Sequence, residues 1–238
     1  MKIWMFAGMC DKSDILFYLC KLLSTANKKV LLVDGTDTHK YQRYMGQLER
    51  PLAAITKFMK FDVASGFTSQ MELENHLRND GAGLDSYDIV IYDIENVIFC
   101  STDTWNVAAA CTWNMNYGIW SFQKGSEWMN EWILHDPLLT DLLFQRIYLR
   151  TVDCLLDHIF MDSCRDRWPV QLTNEYIVIP WDEVDTGLKL ATEHLRHLRM
   201  KPLSRRYKRV ICRLIEQLTP LDHRQIKQAL LQVERGNI

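Results

Sequence analysis

Residues 2–14 read KIWMFAGMCDKSD. A short apolar run closes on Gly8, a loop follows, and Lys12-Ser13 stands at the head of an amphipathic segment. Over 12–25, KSDILFYLCKLLST places Ile15, Leu16, Leu19, Leu22 and Leu23 on one side of a helix. Ser13 or Lys12 opens that helix and Ala26-Asn27 closes it, with Lys28 and Lys29 near its negative end. KVLLVD at 29–34 is then a second strand ending in an acid. Strand, helix and strand in so short a stretch make a βαβ unit, whose right-handed crossover implies a parallel sheet.

The rest of the chain is read outward from that unit. Residues 35–80 read as mostly helical, with Ser69 and Glu72 spaced as a capping box for QMELENHLRN. YDIVIYDIE at 87–95 predicts a third strand closing on Asp93. A small-residue helix is expected around Val107–Cys111, and YGIWSF at 117–122 fits a fourth strand. A helix over 126–134, a fifth strand over 147–152, a helix over 155–161 and a strand over 176–179 follow. The remainder predicts helices over 184–198, 204–218 and 222–233. Alternating strands and helices predict an α/β fold, a doubly wound and mostly parallel sheet flanked by helices. One domain over 1–238 is expected, with a basic helical part from about 184, since a chain of this size can bury one large core. In such folds ligands bind at the carboxyl ends of the strands, where the loop at 6–13, Asp34 and Asp93 fall.

Composition narrows the class. The N-terminal apolar run is broken by Asp11, and no later run reaches the length of a bilayer-spanning helix, so a soluble, cytoplasmic protein is expected. The seven cysteines show no metal-binding or dithiol spacing and sit mostly in apolar segments, as buried free thiols do. Charge is uneven. Eleven Lys/Arg stand against three acids from Arg196 onward, a net +8, which leaves −10 for the first 195 residues of a chain with 28 basic and 30 acidic residues. That asymmetry suits either a solvated helix face or an anionic partner. Residues 105–132 hold five of the eight tryptophans, a density expected of packed core.

A phosphate loop needs glycines that let backbone N–H groups face the phosphates, a lysine for the terminal phosphates, and a hydroxyl for Mg²⁺. Set on Lys12-Ser13, the G-x-x-x-x-G-K-[ST] pattern puts its first Gly on Phe6 and its second on Asp11. Gly8, Lys12 and Ser13 remain. The order of motifs is more specific than the loop. LLVDGT at 31–36, IVIYD at 89–93 and Ile179-Pro180-Trp181-Asp182 follow it in turn. In this the chain resembles the ParA/MinD family of P-loop ATPases over most of its length.

The resemblance implies a nucleotide site made of Gly8, Lys12, Ser13, Asp34, Asp93, Pro180 and Asp182, with Ser13 and Asp93 nearest Mg²⁺. It also implies ATP and Mg²⁺ as cofactors, and two departures argue against them. Ala7 stands where the family's second lysine crosses a dimer, and Asp11 replaces the glycine before the phosphate lysine. Thr36 stands where the family's DxD phrase has the acid associated with the attacking water, and Asp14 replaces a hydroxyl residue. A carboxylate about 5 Å from one phosphate charge is repelled by roughly 3 kcal/mol at an effective dielectric of about 20. A degenerate member is therefore expected, with weak or absent ATP hydrolysis, acting as a positioning or scaffold factor like those of Tad-type pili and secretion systems. Its expected partners are proteins of such a system, a second copy of the chain, or non-specific DNA or an anionic membrane met by the basic C-terminal part. Peripheral membrane attachment goes with the last of these. The alternatives are an active ATP-dependent dimerisation switch for partitioning or localisation, and a small phosphotransferase drawing on Arg146, Arg150, Arg165 and Arg167.

Overall fold

The computed structural model describes residues 1–45, 54–156, 160–161, 168 and 170–236. Strand β1 is Lys2–Ala7, helix α1 Ser13–Thr25 and β2 Val30–Gly35, which is the βαβ unit of the sequence. Helix α2 (Lys40–Tyr44) leads towards a hairpin of β3 (Ala54–Phe58) and β4 (Phe61–Ser65). Then come α3 (Gln70–Asn79), β5 (Ile89–Ile94), α4 (Thr102–Asn106), β6 (Ala110–Met115) and α5 (Ile119–His135). Strands β7 (Leu143–Thr151) and β8 (Gln171–Pro180) follow, and then α6 (Glu183–Leu195), α7 (Arg205–Leu218) and α8 (His223–Glu234).

The eight strands form one sheet in the order β3-β4-β2-β5-β1-β6-β7-β8. All pairs are parallel except β3 with β4. The chain leaves β1 for β2 on one side, returns to β5, and then crosses β1 to reach β6 on the other. The loop after β1 thus lies where the winding reverses, the crevice at which doubly wound sheets bind ligands.

Strand periodicity of two sets the core. In β1, Trp4 and Phe6 join a buried cluster with α1, α7 and α8, while Ile3, Met5 and Ala7 join a second with α3, α4 and α5. The tryptophan-rich middle is core as expected, except Trp120, which is exposed. Trp105, Trp113, Trp128 and Trp132 are buried, and Trp128 stacks on Trp132 at a centroid distance of 5.4 Å. Ser69 Oγ accepts from the Glu72 amide, but the Glu72 carboxylate turns to Thr68, so only half of the capping box forms.

Several expected elements are corrected. Residues 35–80 contain the β3–β4 hairpin as well as helix. The fourth strand is 110–115, not 117–122, whose apolar residues begin α5 instead. The helix expected over 107–111 is displaced to 102–106. Thr112 and Asn114 explain the misplacement: both are buried in β6, and their side chains donate to the carbonyls of Met5 and Ala7 at 3.2 and 3.0 Å. Polar residues satisfied by a neighbouring strand break the apolar run that marks a central strand. Of the helix expected over 155–161, residues 157–159 lie outside the described residues, as do Cys164, Arg165 and Arg167. Among the described residues no helix is long and apolar enough to cross a membrane.

Candidate functional site

The loop after β1 is shaped by close packing. Gly8 has φ +130°, and a Cβ there would lie 2.0 Å from the Asn114 carbonyl oxygen. Glycine is required by the approach to β6. The Gly8 carbonyl turns inward and accepts from Lys12 Nζ at 2.7 Å. Lys12 is fully buried, and its ammonium meets Asp93 Oδ1 at 2.7 Å, with the Cys10 carbonyl accepting at 3.3 Å. Burial pushes the Cys10 thiol up to about 12, so no thiolate forms in the loop near neutral pH.

Asp93 is the strand-end acid of β5, beside Phe6 of β1 and Asp34 of β2 in the sheet register. Lys40 Nζ lies 3.0 Å from its Oδ2, and the Tyr41 hydroxyl donates to the same oxygen at 2.8 Å. Burial pulls the Asp93 carboxyl up, but Lys12 and Lys40 outweigh it and hold the group below its ordinary value. Glu95 also receives Lys40 at 3.0 Å, yet burial dominates there and raises it. Asp34 is a closed hub. It accepts from the Thr36 amide and hydroxyl, the Tyr41 amide and the Ser65 hydroxyl. Burial raises its carboxyl, and those donors only partly offset the shift.

Asp11 is the least expected part. Its Oδ1 accepts from the Ser13 amide at 3.0 Å, so it caps α1 from one residue before the Lys12 N-cap. Lys189 of α6 reaches its Oδ2 at 2.8 Å, and Lys40 approaches Oδ1 at 3.5 Å. Burial acts to raise the Asp11 carboxyl, but Lys40 and Lys189 hold it well below the usual carboxylate range. Arg150 completes the ring. It sits at φ +51° beside a register shift at the end of β7. From there it donates to the Asp11 carbonyl at 2.8 Å and to Asp14 Oδ1 at 2.6 Å. Such a bulge re-aims a side chain out of the pleat. The Tyr207 hydroxyl of α7 donates to the other Asp14 oxygen at 2.8 Å.

The structure therefore brings Gly8, Lys12 and Asp93 into one bonded cluster, with Asp34 joined through Tyr41 and Ser13 through Asp11. Pro180 and Asp182 lie apart from it. Asp182 caps α6 by accepting from the Asp185 amide at 3.0 Å, and both residues line a cleft of about 630 Å³ with Trp181, Thr151 and Arg206. Lys40, Tyr41, Arg150, Lys189 and Tyr207 were not singled out as part of this corner from sequence. Arg150 was noted, but only for the phosphotransferase alternative. They come from four elements, α2, β7, α6 and α7, so no local spacing announces them.

A nucleotide with Mg²⁺ would need the α1 amides, the Lys12 ammonium and a free Asp93 oxygen. Here a carboxylate holds the Ser13 amide, Lys12 is spent on Asp93, and both Asp93 oxygens are engaged. The residues as arranged do not fit that group. The repulsive carboxylate at Asp11 has itself taken the place of an anion at the helix N-terminus.

No family model matches the sequence, and no curated protein matches it. Solved structures do match the fold. The MinC:MinD cell division protein complex of Aquifex aeolicus aligns with TM-score 0.55 at 13% identity, covering 94% of this chain and 99% of that one. The chain has the MinD fold. A separate structure of MinD from Aquifex aeolicus aligns with TM-score 0.52 at 13% identity over 94% of this chain and 100% of that one. Apo McdA from Cyanthece gives 0.50 at 14% identity over 97% and 99%. The MinD-like sheet accounts for the motif order met in the sequence. At these identities the likeness is one of fold.

Proposed function

We propose that this MinD-like chain is a positioning or scaffold factor that works through protein interaction, with weak or absent ATP hydrolysis. One observation carries the reading. The loop corner is neutralised from within, Lys12 by Asp93 and the head of α1 by Asp11. Opening it for a triphosphate means breaking a buried ion pair and displacing a carboxylate held by Lys189, Lys40 and the Ser13 amide. Ala7 adds support, since it offers no charge to a dimer partner's nucleotide. In the Aquifex aeolicus complex, MinD is assembled with MinC, a protein partner. We infer a protein partner here also, in a localisation or secretion machine such as a pilus. The basic helices beyond Arg196 are proposed as the contact with an anionic surface, DNA first.

The test is calorimetric titration with ATP–Mg²⁺ beside a phosphate-release assay on the purified chain. The wild type is expected to show no turnover, and Asp11→Gly to bind nucleotide more tightly than wild type, because it frees Lys189 and Lys40. Mg²⁺-dependent turnover by the wild type that Lys12→Ala abolishes would overturn the proposal. It would establish the ATP-driven switch instead, which the gathering of Gly8, Lys12, Ser13 and Asp93 at one corner favours.

A further inference from the structure

Helix α1 runs on from the loop to a second charged place. Lys21 lies eight residues beyond Ser13, about 12 Å along the axis. It is only 5% exposed, and its surroundings differ from those of Lys12. Its ammonium donates to the Leu198 carbonyl at 2.9 Å and touches Met59 Sδ at 3.4 Å. Among the described residues no carboxylate pairs with it. A buried ammonium normally finds one or loses its proton. Burial, with Lys60 nearby, does lower its proton affinity.

Lys21 forms one wall of a recess of about 320 Å³ between α1, the segment at 197–201 and the end of α8. His197, Arg199, Lys201 and Arg235 line it too. Among the described residues none of these four has a carboxylate within ion-pair distance. The recess holds one acid, Glu234, which is already paired with Lys208 at 2.6 Å. The carbonyl end of α8 also faces this region and brings about half a negative charge. Four cations still outweigh it. The volume lies at the lower end of the range for small-molecule sites.

We propose that this recess binds a small polyanion bearing phosphate groups, with Lys21 as the buried contact and Arg199, Lys201 and Arg235 closing around it. An oxyanion supplies what Lys21 lacks, an acceptor of full negative charge for its third N–H. Arginine forks match phosphate oxygens in pairs. Diphosphate fits the count better than a single phosphate, because the cations come from three separate segments. This site is independent of the loop at 8–13 and of the function proposed for it.

Inorganic pyrophosphate is the probe, titrated calorimetrically into the full chain at constant ionic strength, with sulfate as the control anion. The wild type is expected to bind pyrophosphate and to prefer it to sulfate. Lys21→Met, which keeps the stem and removes the charge, is expected to weaken binding about tenfold or more, as loss of a charge-assisted hydrogen bond does. Arg199→Ala with Lys201→Ala is expected to weaken it as much, and these exposed positions keep the test valid if Lys21→Met fails to fold. Absence of wild-type binding to both pyrophosphate and anionic vesicles, equal affinity for pyrophosphate and sulfate, or undiminished binding by the Arg199→Ala/Lys201→Ala variant would each overturn the proposal. Vesicles of phosphatidylcholine and phosphatidylglycerol in equal parts separate the sources. Lys21-dependent co-sedimentation without binding of free pyrophosphate assigns the phosphate to a lipid headgroup. Binding of free pyrophosphate assigns it to a soluble ligand.

Discussion

Helix α1 has a buried lysine near each end, and the two sit in opposite surroundings. At the head, Lys12 meets Asp93 at 2.7 Å, while Asp11 and Asp14 are met by Lys189 and Arg150 at 2.8 and 2.6 Å. Further along, Lys21 has a carbonyl and a thioether, and the basic side chains around it have no carboxylate among the described residues. Both places are concave and charged. They differ in whether the charge is already satisfied. A satisfied cluster must lose its own bonds before it can bind, whereas an unsatisfied one gains by binding. Resemblance to a nucleotide-binding fold points to the first place, and electrostatics points to the second.

The same substitution at both lysines gives the sharpest test. Lys12→Met leaves Asp93 buried with Lys40 as its remaining cation, and is expected to destabilise the fold by about 3 kcal/mol, the cost of breaking a buried pair. Lys21→Met removes a cation that has no counter-ion and keeps the apolar stem. Its expected effect is within about 1 kcal/mol, set by the unpaired Leu198 carbonyl against the relieved desolvation. Urea unfolding of both variants measures the difference. Equal costs would mean that the two lysines are paired alike and would remove the contrast.

Acid should act on the head of the helix and leave the far end alone. Asp11 and Asp93 have carboxyl groups held below their ordinary values by the cations around them. A depressed carboxylate adds stability that is complete above its unfolded value, about 3.9, and is lost as pH falls towards the folded one. Asp34 and Glu95 are raised, so they act with the opposite sign: their contribution is full at low pH and fades as pH rises through their folded values. Comparing the wild type with Asp11→Asn cancels those opposing groups. The wild type is expected to lose more stability than the variant as pH falls below about 4, and at neutral pH the variant is expected to be about 1 kcal/mol less stable through its weaker cap. Parallel stability curves for the two proteins in acid would show that the Asp11 ion pairs carry no weight.

What the sequence could reveal follows from how local each signal is. The βαβ unit, the strand ending at Asp93 and the three C-terminal helices were legible, because each is an apolar period within one segment. The β3–β4 hairpin was not. Its turn puts Met59 at φ +55° where Asn or Gly would have announced it. Strand β6 was displaced in the reading because Thr112 and Asn114 are buried polar residues whose partners lie in β1. At the site, Gly8, Lys12 and Asp93 could be read as one cluster through motif order. The ring around Asp11 could not, since Lys40, Arg150 and Lys189 come from α2, β7 and α6. Asp11 itself was read as a charge that repels a ligand. Seeing that it substitutes for one required the position of the Ser13 amide.

The smallest effect on stability is expected where charges are exposed, and there the readout shifts from stability to salt. Arg205, Arg209 and Arg213 follow one another at four-residue spacing along α7 and are solvent-exposed, with Arg206 exposed beside them. Arg213 lies 3.6 Å from Glu175, an exposed pair of little weight. Replacing Arg205 and Arg209 together with Ala should change the unfolding free energy by no more than about 0.5 kcal/mol, as surface substitutions do. If this ridge meets a nucleic-acid backbone, the logarithm of affinity for duplex DNA should fall steeply with the logarithm of salt. The double variant should flatten that slope by about 2, close to one unit for each phosphate contact removed. An unchanged slope would exclude α7 as the contact.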